Sequence, residues 1–197
     1  MERIDLHTHT LASDGSDAPA AVVQKAAALG LRAVAVTDHD TFAGLPEARA
    51  AGQRCGIEVV PGVELSTVWG GEEVHLLGYF MDTGNAALRA LMTRATDERN
   101  ARNETMVQRL HDAGYPITMD DLHAAFPGQT VLGRPHIAAL LVQRGCIPSV
   151  SDGMRGLLGR GKAFYVPRYN IPLADSIRAL RAAAPDCRVM VGGAVMT

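Results

Sequence analysis

Short apolar runs alternate with helical segments and polar turns over the first 80 residues of the chain. Segments 20–30 and 44–56 have helical spacing, and each ends in glycine, the usual residue just past a helix C-terminus. The four strand candidates around them are RIDL at 3–6, LRAVAVTDHD at 31–40, IEVVPGVELS at 57–66 and EVHLLGYF at 73–80. Strands and helices that alternate at this spacing predict βα units and a largely parallel sheet.

The pattern changes near residue 85, where helical spacing continues without further strands. A charged segment at 85–114 predicts one long helix, and the shorter helix candidates that follow are 118–126, 133–145 and 149–161. The first pattern resumes with a helix at 172–184 and the apolar run CRVMVGGAVMT. The predicted segments are therefore sheet-forming residues 1–84, a helical insertion at 85–170, and a continuation of the first domain at 171–197.

The composition is that of an ordinary globular protein, with 47% hydrophobic residues, 20% charged residues and a formal net charge of -2. It lacks the basic excess of proteins that hold duplex nucleic acid, so we expect no stable duplex binding. No apolar run is long enough to span a membrane, and the first ten residues lack a signal-peptide pattern. Three widely spaced cysteines predict reduced thiols, so we expect a cytoplasmic protein, with its oligomeric state left open.

Imidazole and carboxylate side chains recur at or near the ends of the predicted strands. They are His7, His9, Asp14, His39, Glu64 and His75. The C-terminal ends of parallel barrel strands meet at one mouth, so residues distant in sequence become neighbours there. Mixed imidazole and carboxylate ligands suit zinc, manganese or iron. The sequence therefore predicts a metal centre at this end of the sheet.

Each of these residues also has a structural interpretation. The His-x-His pair is often found on an exposed strand, and Asp14 precedes a glycine as a turn residue would. The TDHD stretch could cap a helix, Glu64 could pair with an arginine, and His75 could be a satisfied core histidine. These separate explanations would have to place polar residues at the same end of four strands by coincidence. We therefore favour the shared metal centre.

Four stretches, DLHTHTLASDGS, VAVTDHDT, PGVELS and VHLLGY, occur in this order along the chain. With them the chain resembles the PHP (polymerase and histidinol phosphatase) family of metal-dependent phosphoesterases. The resemblance implies an α/β fold, a distorted (β/α)7 barrel with a helical insertion. GRPHIAALLVQRG and GRGKAFYVPRYNIPLADSIRAL are similar to a small bacterial branch. That branch dephosphorylates nucleoside 3',5'-bisphosphates or trims 5'-phosphorylated oligonucleotides.

The resemblance also implies a ligand set and a mechanism. One ion would be held by His7, His9 and Glu64, and Glu64 would also touch a second ion bound by His75. A third ion would be held by Asp14 and His39. Up to three divalent ions are implied, of manganese, iron or zinc, with magnesium possible. A metal-activated water would attack the phosphorus, so that no protein nucleophile is needed.

The insertion supplies the candidates for substrate binding. By the same resemblance, Arg134 would clamp a phosphate group, since guanidinium matches phosphate oxygens with two parallel hydrogen bonds. His136 is a second candidate for phosphate contact. Without the family, a solvated helix N-terminus explains both residues about as well. Lys162 and Arg168 would add positive charge near the mouth of the barrel or lie in solvated loops.

The family pattern is longer than this sequence. It continues with a strand that ends in His-Pro and later with a Gly-Ser-Asp-x-His motif, and both supply metal ligands. VGGAVMT resembles the strand that precedes His-Pro. We therefore expect the barrel to be incomplete at the C-terminus and the 197-residue chain to be a piece of a longer enzyme. Such a piece would bind metal weakly and have little phosphatase activity.

The leading hypothesis is a metal-dependent hydrolase of phosphate monoesters. Its expected substrates are nucleoside 3',5'-bisphosphates or short oligonucleotides with a 5'-phosphate. The closest enzymatic alternative is a histidinol-phosphate phosphatase, against which the GRPH stretch of the insertion argues. A non-catalytic PHP module with an incomplete metal site is the alternative from a different functional class.

Overall fold

The computed structural model describes residues 3–167 and 171–184, and the backbone of residues 189–192. The chain divides into two compact units. We call Met1–Thr96 with Asn170–Thr197 the sheet unit, and Asp97–Tyr169 the helical unit. None of the helices in the described part of the chain is both long and apolar enough to cross a membrane.

The elements follow one another as a sheet-forming segment, a run of helices, and a short return to strands. In chain order they are β1 Arg3–Thr8, α1 Pro19–Ala28, β2 Leu31–Val36, α2 Leu45–Cys55, β3 Glu58–Trp69, β4 Glu72–Tyr79, α3 Ala86–Asp112, α4 Met119–Ala125, α5 Arg134–Gln143, α6 Val150–Gly153, β5 Ile171–Pro172, α7 Leu173–Ala183 and β6 Val189–Gly192. A π-helical turn at Met154–Leu158 follows α6. The predicted helix at 149–161 is therefore a short α-helix continued by this turn.

The first three strands pair in parallel, with α1 and α2 as the crossover helices. The strand order is β1-β2-β3-β4-β6, and β5 pairs with β3. Helices α1 and α2 cover one face of β2 through a buried apolar cluster that includes Val23, Val34 and Ala48. The α/β fold class predicted from the sequence is confirmed.

The fourth strand departs from the predicted pattern. β3 and β4 form an antiparallel hairpin joined by Gly70 and Gly71, which have φ of 59° and 85°. Positive φ at both central residues is the requirement of a two-residue type I′ turn, which matches the twist of the strands. Glu64 and His75 therefore lie inside strands that run in opposite directions. The expectation that Glu64 ends its strand is wrong, because β3 continues to Trp69. β4 also departs from the expected, largely parallel order, because two residues cannot make a parallel crossover.

The two faces of the hairpin have different environments. Ala33, Ala35, Val60 and Leu77 are among the residues of a small cluster on one face. On the other face, buried residues of β3 and β4 pack against α3 and α7. A Cβ on Gly78 would lie 2.6 Å from the Leu180 side chain, so the glycine allows α7 to approach β4 closely. At the tip of the hairpin, by contrast, Trp69 is 67% exposed.

The helical unit has an apolar core of its own. Leu110, Leu122, Leu141 and Leu158 are fully buried in one cluster. The N-terminus of α4 is closed by Thr118, whose hydroxyl oxygen accepts a hydrogen bond from the N–H group of the third helical residue. This arrangement is a capping box, which satisfies backbone donors that the helix itself leaves without partners.

Candidate metal centre

Glu64 is the point at which the predicted ligands meet. Its side chain is buried in the middle of β3, with 3% of the residue exposed. Oε2 lies 2.8 Å from His7 Nε2 and 2.9 Å from His9 Nε2. Oε1 lies 2.5 Å from His75 Nδ1. One carboxylate therefore contacts imidazoles from β1, from the residue after β1, and from β4.

His7 and His9 reach Glu64 because of the alternation of side chains along an extended segment. Residues two apart point to the same side of a strand, and the two Nε2 atoms lie 3.1 Å apart. The His7 N–H group donates to the Asp5 carboxylate at 3.1 Å, which fixes the end of β1. The His7 side chain is 48% exposed, so this side of the cluster is open to solvent.

The loop after β1 brings Asp14 to the same cluster. Asp14 Oδ1 lies 3.3 Å from His9 Nδ1, and Asp14 Oδ2 lies 3.6 Å from His39 Nε2. The loop folds back tightly, since a Cβ on Gly15 would lie only 2.4 Å from the carbonyl oxygen of His9. Gly15 is therefore required by the close approach of two backbone segments.

His39 follows β2 and is held beside Glu64 by backbone hydrogen bonds. The N–H of Asp40 donates to the Glu64 carbonyl at 3.0 Å, and the N–H of Glu64 donates to the Asp38 carbonyl at 3.3 Å. The His39 ring centroid lies 4.7 Å from that of His9 and 4.9 Å from that of His75. The parallel pairing of β2 and β3 is thus extended by one bridge that carries a candidate ligand on each side.

The hairpin places His75 on the same face as Glu64. His75 pairs with Ser66, two residues beyond Glu64 along β3. Directly opposed residues of an antiparallel pair share a face, as do alternate residues of one strand. On its other side, β4 pairs with β6, in which Gly192 is opposite His75.

The charges in the cluster stabilise one another. Burial opposes ionisation of Glu64, but hydrogen bonds from His75 and His9 and the nearby His39 outweigh it. They hold the pKa of Glu64 well below its usual range. Burial likewise opposes protonation of His9, but its hydrogen bond to Glu64 and the charge of Asp14 raise the pKa of His9. The carboxylate is therefore ionised, as a metal ligand must be.

Three overlapping groups of donor atoms could each hold an ion. They are the β1 group (His7, His9, Glu64), the loop group (His9, Asp14, His39) and the hairpin group (His39, Glu64, His75). Within each group the donor atoms lie within 4.8 Å of one another. Three protein ligands are the number that catalytic zinc sites use while leaving a position for water or substrate. All six predicted residues come together, and their assignment as ligands stays a prediction.

In the helical unit, His136 has a structural contact that the sequence did not indicate. It is 5% exposed, and its Nδ1 accepts a hydrogen bond from the Gly133 N–H at 2.9 Å. Its ring lies edge-on to Phe126, with the centroids 5.0 Å apart. His136 therefore helps to close the N-terminus of α5, and its contact with phosphate stays a prediction.

Arg134 is the first residue of α5 and is half-buried. Its guanidinium carbon lies 5.8 Å from the ring centre of Tyr165, and that of Arg102 lies 5.5 Å from the same ring. Two cationic side chains thus lie over one aromatic ring, whose quadrupole attracts both. The predicted role of Arg134 at phosphate is untested. Lys162 is exposed, and Arg168 lies outside the described residues.

Two buried carboxylates beside the centre, Asp38 and Asp40, end the second predicted strand together with His39, but no role of their own was evident from the sequence. The sequence shows them only as part of TDHD, a stretch that also suits a helix cap. Their burial, with 1% of Asp38 and 2% of Asp40 exposed, was not visible in the pattern. Their position is the signal that indicates a role, since they flank the predicted ligand His39 at a strand end.

A comparison with protein families shows to which family the chain belongs. The profile of the PHP domain matches residues 5–138, which is more than half of the chain. The chain belongs to the PHP domain family. The matched PHP region contains all six predicted ligands and also Arg134 and His136.

Several characterised proteins are similar to this PHP chain. The 5'-3' exoribonuclease Rnm of Escherichia coli (strain K12) is 37% identical over 165 residues, covering 83% of this chain and 56% of the relative. The 3',5'-nucleoside bisphosphate phosphatase of Chromobacterium violaceum is 35% identical over 177 residues, covering 90% and 62%. The chain thus spans about 56–66% of the length of the first four curated relatives.

Solved structures agree with the family assignment. The chain matches a candidate metal-dependent phosphoesterase from Bifidobacterium adolescentis with a TM-score of 0.90 and 33% identity, covering 96% of this chain and 66% of that one. It also matches an amidohydrolase from Chromobacterium violaceum, solved with bound sulfate and no metal, with a TM-score of 0.87 and 33% identity, covering 95% and 66%. The PHP fold of this chain is therefore shown by sequence and by structure.

Proposed function

We propose that this PHP domain hydrolyses phosphate monoesters of small nucleotides in a metal-dependent reaction. The proposed substrates are nucleoside 3',5'-bisphosphates and short oligonucleotides with a 5'-phosphate. The observation that carries the proposal is the buried, ionised Glu64 in contact with three imidazoles, two from the end of β1 and one from β4. Similarity to an exoribonuclease and to a nucleoside bisphosphate phosphatase supports this substrate class.

The donor set fits divalent metal ions. The β1, loop and hairpin groups combine imidazole nitrogens with carboxylate oxygens, which suits manganese, iron or zinc better than calcium. Glu64 belongs to two of the groups and would bridge their ions. When bound, such ions supply Lewis acidity and a water of lowered pKa for attack on phosphorus.

The side chains around the cluster support a reaction that needs no protein nucleophile. The hydroxyl groups of Thr10 and Ser13 both donate to the Asp38 carboxylate at 2.7 Å. These hydroxyls are therefore committed to a structural hydrogen-bond network. The half-exposed His7 and Asp14 leave one side of the cluster accessible, so that a phosphate group and water can approach it.

We assign substrate phosphate binding to Arg134. A guanidinium group offers two parallel donors to phosphate oxygens, and the Tyr165 ring beneath it restricts its orientation. The hydrogen bond between the Gly133 N–H and His136 supports the start of the helix on which Arg134 lies. Cys55 and Cys146 are free thiols, which fits the proposed cytoplasmic location of this reaction.

A substrate panel tests the proposal on the purified 197-residue chain. A nucleoside 3',5'-bisphosphate, a 5'-phosphorylated oligoribonucleotide and histidinol phosphate are each incubated with Mn²⁺, at protein concentrations close to those of the substrate. These conditions detect even low turnover. We expect phosphate release from the two nucleotide substrates, and only with Mn²⁺ present.

Other outcomes of the panel contradict the proposal. Release from histidinol phosphate alone would favour the alternative phosphatase. Binding of Mn²⁺ and nucleotide without any release would favour a non-catalytic PHP module. Release that persists in a chelator would exclude the metal-dependent reaction. Glu58, an exposed residue of the same strand as Glu64, offers the matched control Glu58→Gln for each measurement.

A further inference from the structure

Two buried carboxylates flank His39 without belonging to any of the three groups of candidate ligands. Asp38 and Asp40 are 1% and 2% exposed. Burial of an ionised carboxylate is costly unless it accepts hydrogen bonds or pairs with a charge. Both residues do accept hydrogen bonds, and their donors lie in two different neighbouring segments of the sheet unit.

Asp38 holds the loop that connects β1 with α1. Its Oδ1 accepts hydrogen bonds from the Thr10 N–H and the Ser13 hydroxyl, both at 2.7 Å. Its Oδ2 accepts one from the Thr10 hydroxyl at 2.7 Å. Both donor residues lie between His9 and Asp14, so Asp38 fastens the segment that joins these two candidate ligands.

Thr10, which Asp38 holds, in turn accepts hydrogen bonds from the rest of the loop. Its hydroxyl oxygen accepts a hydrogen bond from the Ala12 N–H at 3.1 Å, and its carbonyl accepts from Ser13 and Gly15 at 3.0 Å. The loop therefore turns around Thr10 and returns to place Asp14 next to His9. Without the Asp38 carboxylate, Thr10 would lose the acceptor of both its N–H and its hydroxyl.

Asp40 holds the neighbouring strand. Its Oδ1 accepts a hydrogen bond from the Ser66 N–H at 2.9 Å, while its own N–H donates to the Glu64 carbonyl. Asp40 has a φ of 51°, a left-handed conformation in which aspartate is enriched among non-glycine residues. Ser66 is opposite His75 in the hairpin. Asp40 thus fixes β3 between Glu64 and the position that faces His75.

We propose that Asp38 and Asp40 are positioning residues that organise different groups of ligands. Asp38 organises the loop group, and Asp40 organises the hairpin group. This division rests on the proposed function only in that the groups bind divalent ions. Residues that orient metal ligands through hydrogen bonds typically change metal affinity by about 10- to 100-fold when substituted. Each substitution should therefore weaken mainly one ion.

The test measures Mn²⁺ binding by the full chain, with no substrate present. Calorimetry gives the affinity, and anomalous diffraction from crystals soaked in Mn²⁺ gives the occupancy at each group. We expect Asp38→Asn to lower Mn²⁺ affinity by about 10- to 100-fold, with occupancy lost at the loop group. Asp40→Asn should lose occupancy at the hairpin group. Asp17→Asn is the control, since the Asp17 side chain forms an ion pair with Lys25 instead.

Thr10→Val separates positioning from direct ligation by Asp38. This variant removes the hydroxyl, which donates to Asp38 and accepts from the Ala12 N–H, and it leaves the Asp38 carboxylate intact. If Asp38 acts through Thr10, the double variant Asp38→Asn/Thr10→Val should lose less Mn²⁺ affinity than the sum of the losses in the two single variants. Additive losses would mean that Asp38 contacts the ion itself, and they would overturn the proposal.

Gly44→Ala disturbs the contact between Asp38 and Thr10 without changing either residue. A Cβ at Gly44 would lie 2.7 Å from Asp38 Oδ2 and 2.9 Å from Thr10 Oγ1. Because the φ of Gly44 is -75°, alanine adds no backbone strain there. We expect the same loss of Mn²⁺ at the loop group. The control is Gly156→Ala, because a Cβ there would meet no atom within 4 Å.

The outcomes distinguish this proposal from the proposed function. If the wild-type chain binds Mn²⁺ but no more tightly than the Asp38 and Asp40 variants do, the positioning role is contradicted and the proposed function is not. Wild-type chain that binds no Mn²⁺ contradicts both. Occupancy lost at the opposite group from the one expected also overturns the division of roles. If Asp38→Asn fails to fold, Thr10→Val and Gly44→Ala give the deciding measurement.

Discussion

The sheet unit and the helical unit arrange their candidate functional residues in different ways. In the sheet unit, side chains spread over residues 7–75 meet around the buried carboxylate of Glu64. In the helical unit, Arg134 and His136 are two residues apart in one helical turn, and the Arg134 guanidinium lies over the ring of Tyr165. The proposed chemistry therefore depends on correct pairing of distant strands, whereas the proposed phosphate contact depends on the start of one helix.

The two regions also differ in how charge is balanced. Four imidazoles lie close together in the sheet unit, and the ionised Glu64 is their shared partner. The helical unit is stabilised by an apolar cluster that is independent of these groups. Perturbing the sheet unit should therefore change metal binding and turnover. Perturbing the helical unit should change substrate affinity or stability and leave the metal in place.

Removal of metal should have the largest effect. A chelator in excess should abolish phosphate release, because the proposed reaction takes both its nucleophile and its charge stabilisation from the ions. Added Mn²⁺ should restore release, and far-UV circular dichroism should stay close to that of the untreated chain. Phosphate release that survives removal of metal, verified by elemental analysis, would show that the sheet unit does not act through bound ions.

Glu64→Gln should have the next largest effect. Loss of the shared carboxylate removes a ligand from two groups, and loss of several kcal/mol of transition-state stabilisation lowers the rate by about a thousandfold. Bound Mn²⁺ and phosphate release should fall together. Glu58→Gln, in the same strand but exposed, should behave as the wild type does. A Glu64→Gln chain with normal Mn²⁺ content would contradict the role of Glu64 as a bridge.

Arg134→Ala should have a smaller effect of a different kind. A hydrogen bond to a charged group contributes about 1.5–3 kcal/mol, so kcat/KM should fall by about 10- to 100-fold, mainly through KM. Mn²⁺ binding should be unchanged. Arg134→Lys should recover part of the loss, because lysine keeps the charge but lacks the two parallel donors. Arg155→Ala, at an exposed arginine of the same unit, is the control.

Leu141→Ala should have the smallest effect on turnover per folded molecule. Leu141 is fully buried in the helical unit, so its truncation should lower the free energy of unfolding by about 2–5 kcal/mol. Denaturant titration measures this loss, and elemental analysis checks that Mn²⁺ content is retained. Leu29→Ala, at an exposed apolar residue, should change neither quantity. Loss of Mn²⁺ in Leu141→Ala would show that the two units are energetically coupled.

Local patterns in the sequence were sufficient for much of the sheet unit. The spacing of apolar residues and the terminal glycines predicted β1, α1, β2 and α2, because these features act over one element at a time. The six predicted ligands could be grouped because strand ends converge in a parallel sheet. The structure places them around Glu64 as expected. His75, however, lies there because β4 pairs with β3 in an antiparallel hairpin, and not because a parallel strand ends there.

The direction of β4 could not be taken from apolar alternation, which is the same for either strand direction. The signal was in the turn, where two glycines follow Trp69 directly and favour a tight hairpin. The network of Asp38 with Thr10 and Ser13 connects residues more than 20 positions apart, and no local pattern contains such information. The contact of His136 with Gly133 is local, but a histidine is an uncommon capping residue and so was not recognised.

The exposed tip of the β3–β4 hairpin has a consequence for spectroscopy. Trp69 is the only tryptophan of the chain, and it is largely in water in the folded protein. Its emission should therefore already resemble that of a solvated indole, and unfolding should shift the spectrum very little. Thr67, Val68 and Trp69 continue the strand beyond Ser66, the partner of His75. Collisional quenching of this one fluorophore would thus report on the β3–β4 hairpin, which carries His75, separately from the rest of the fold.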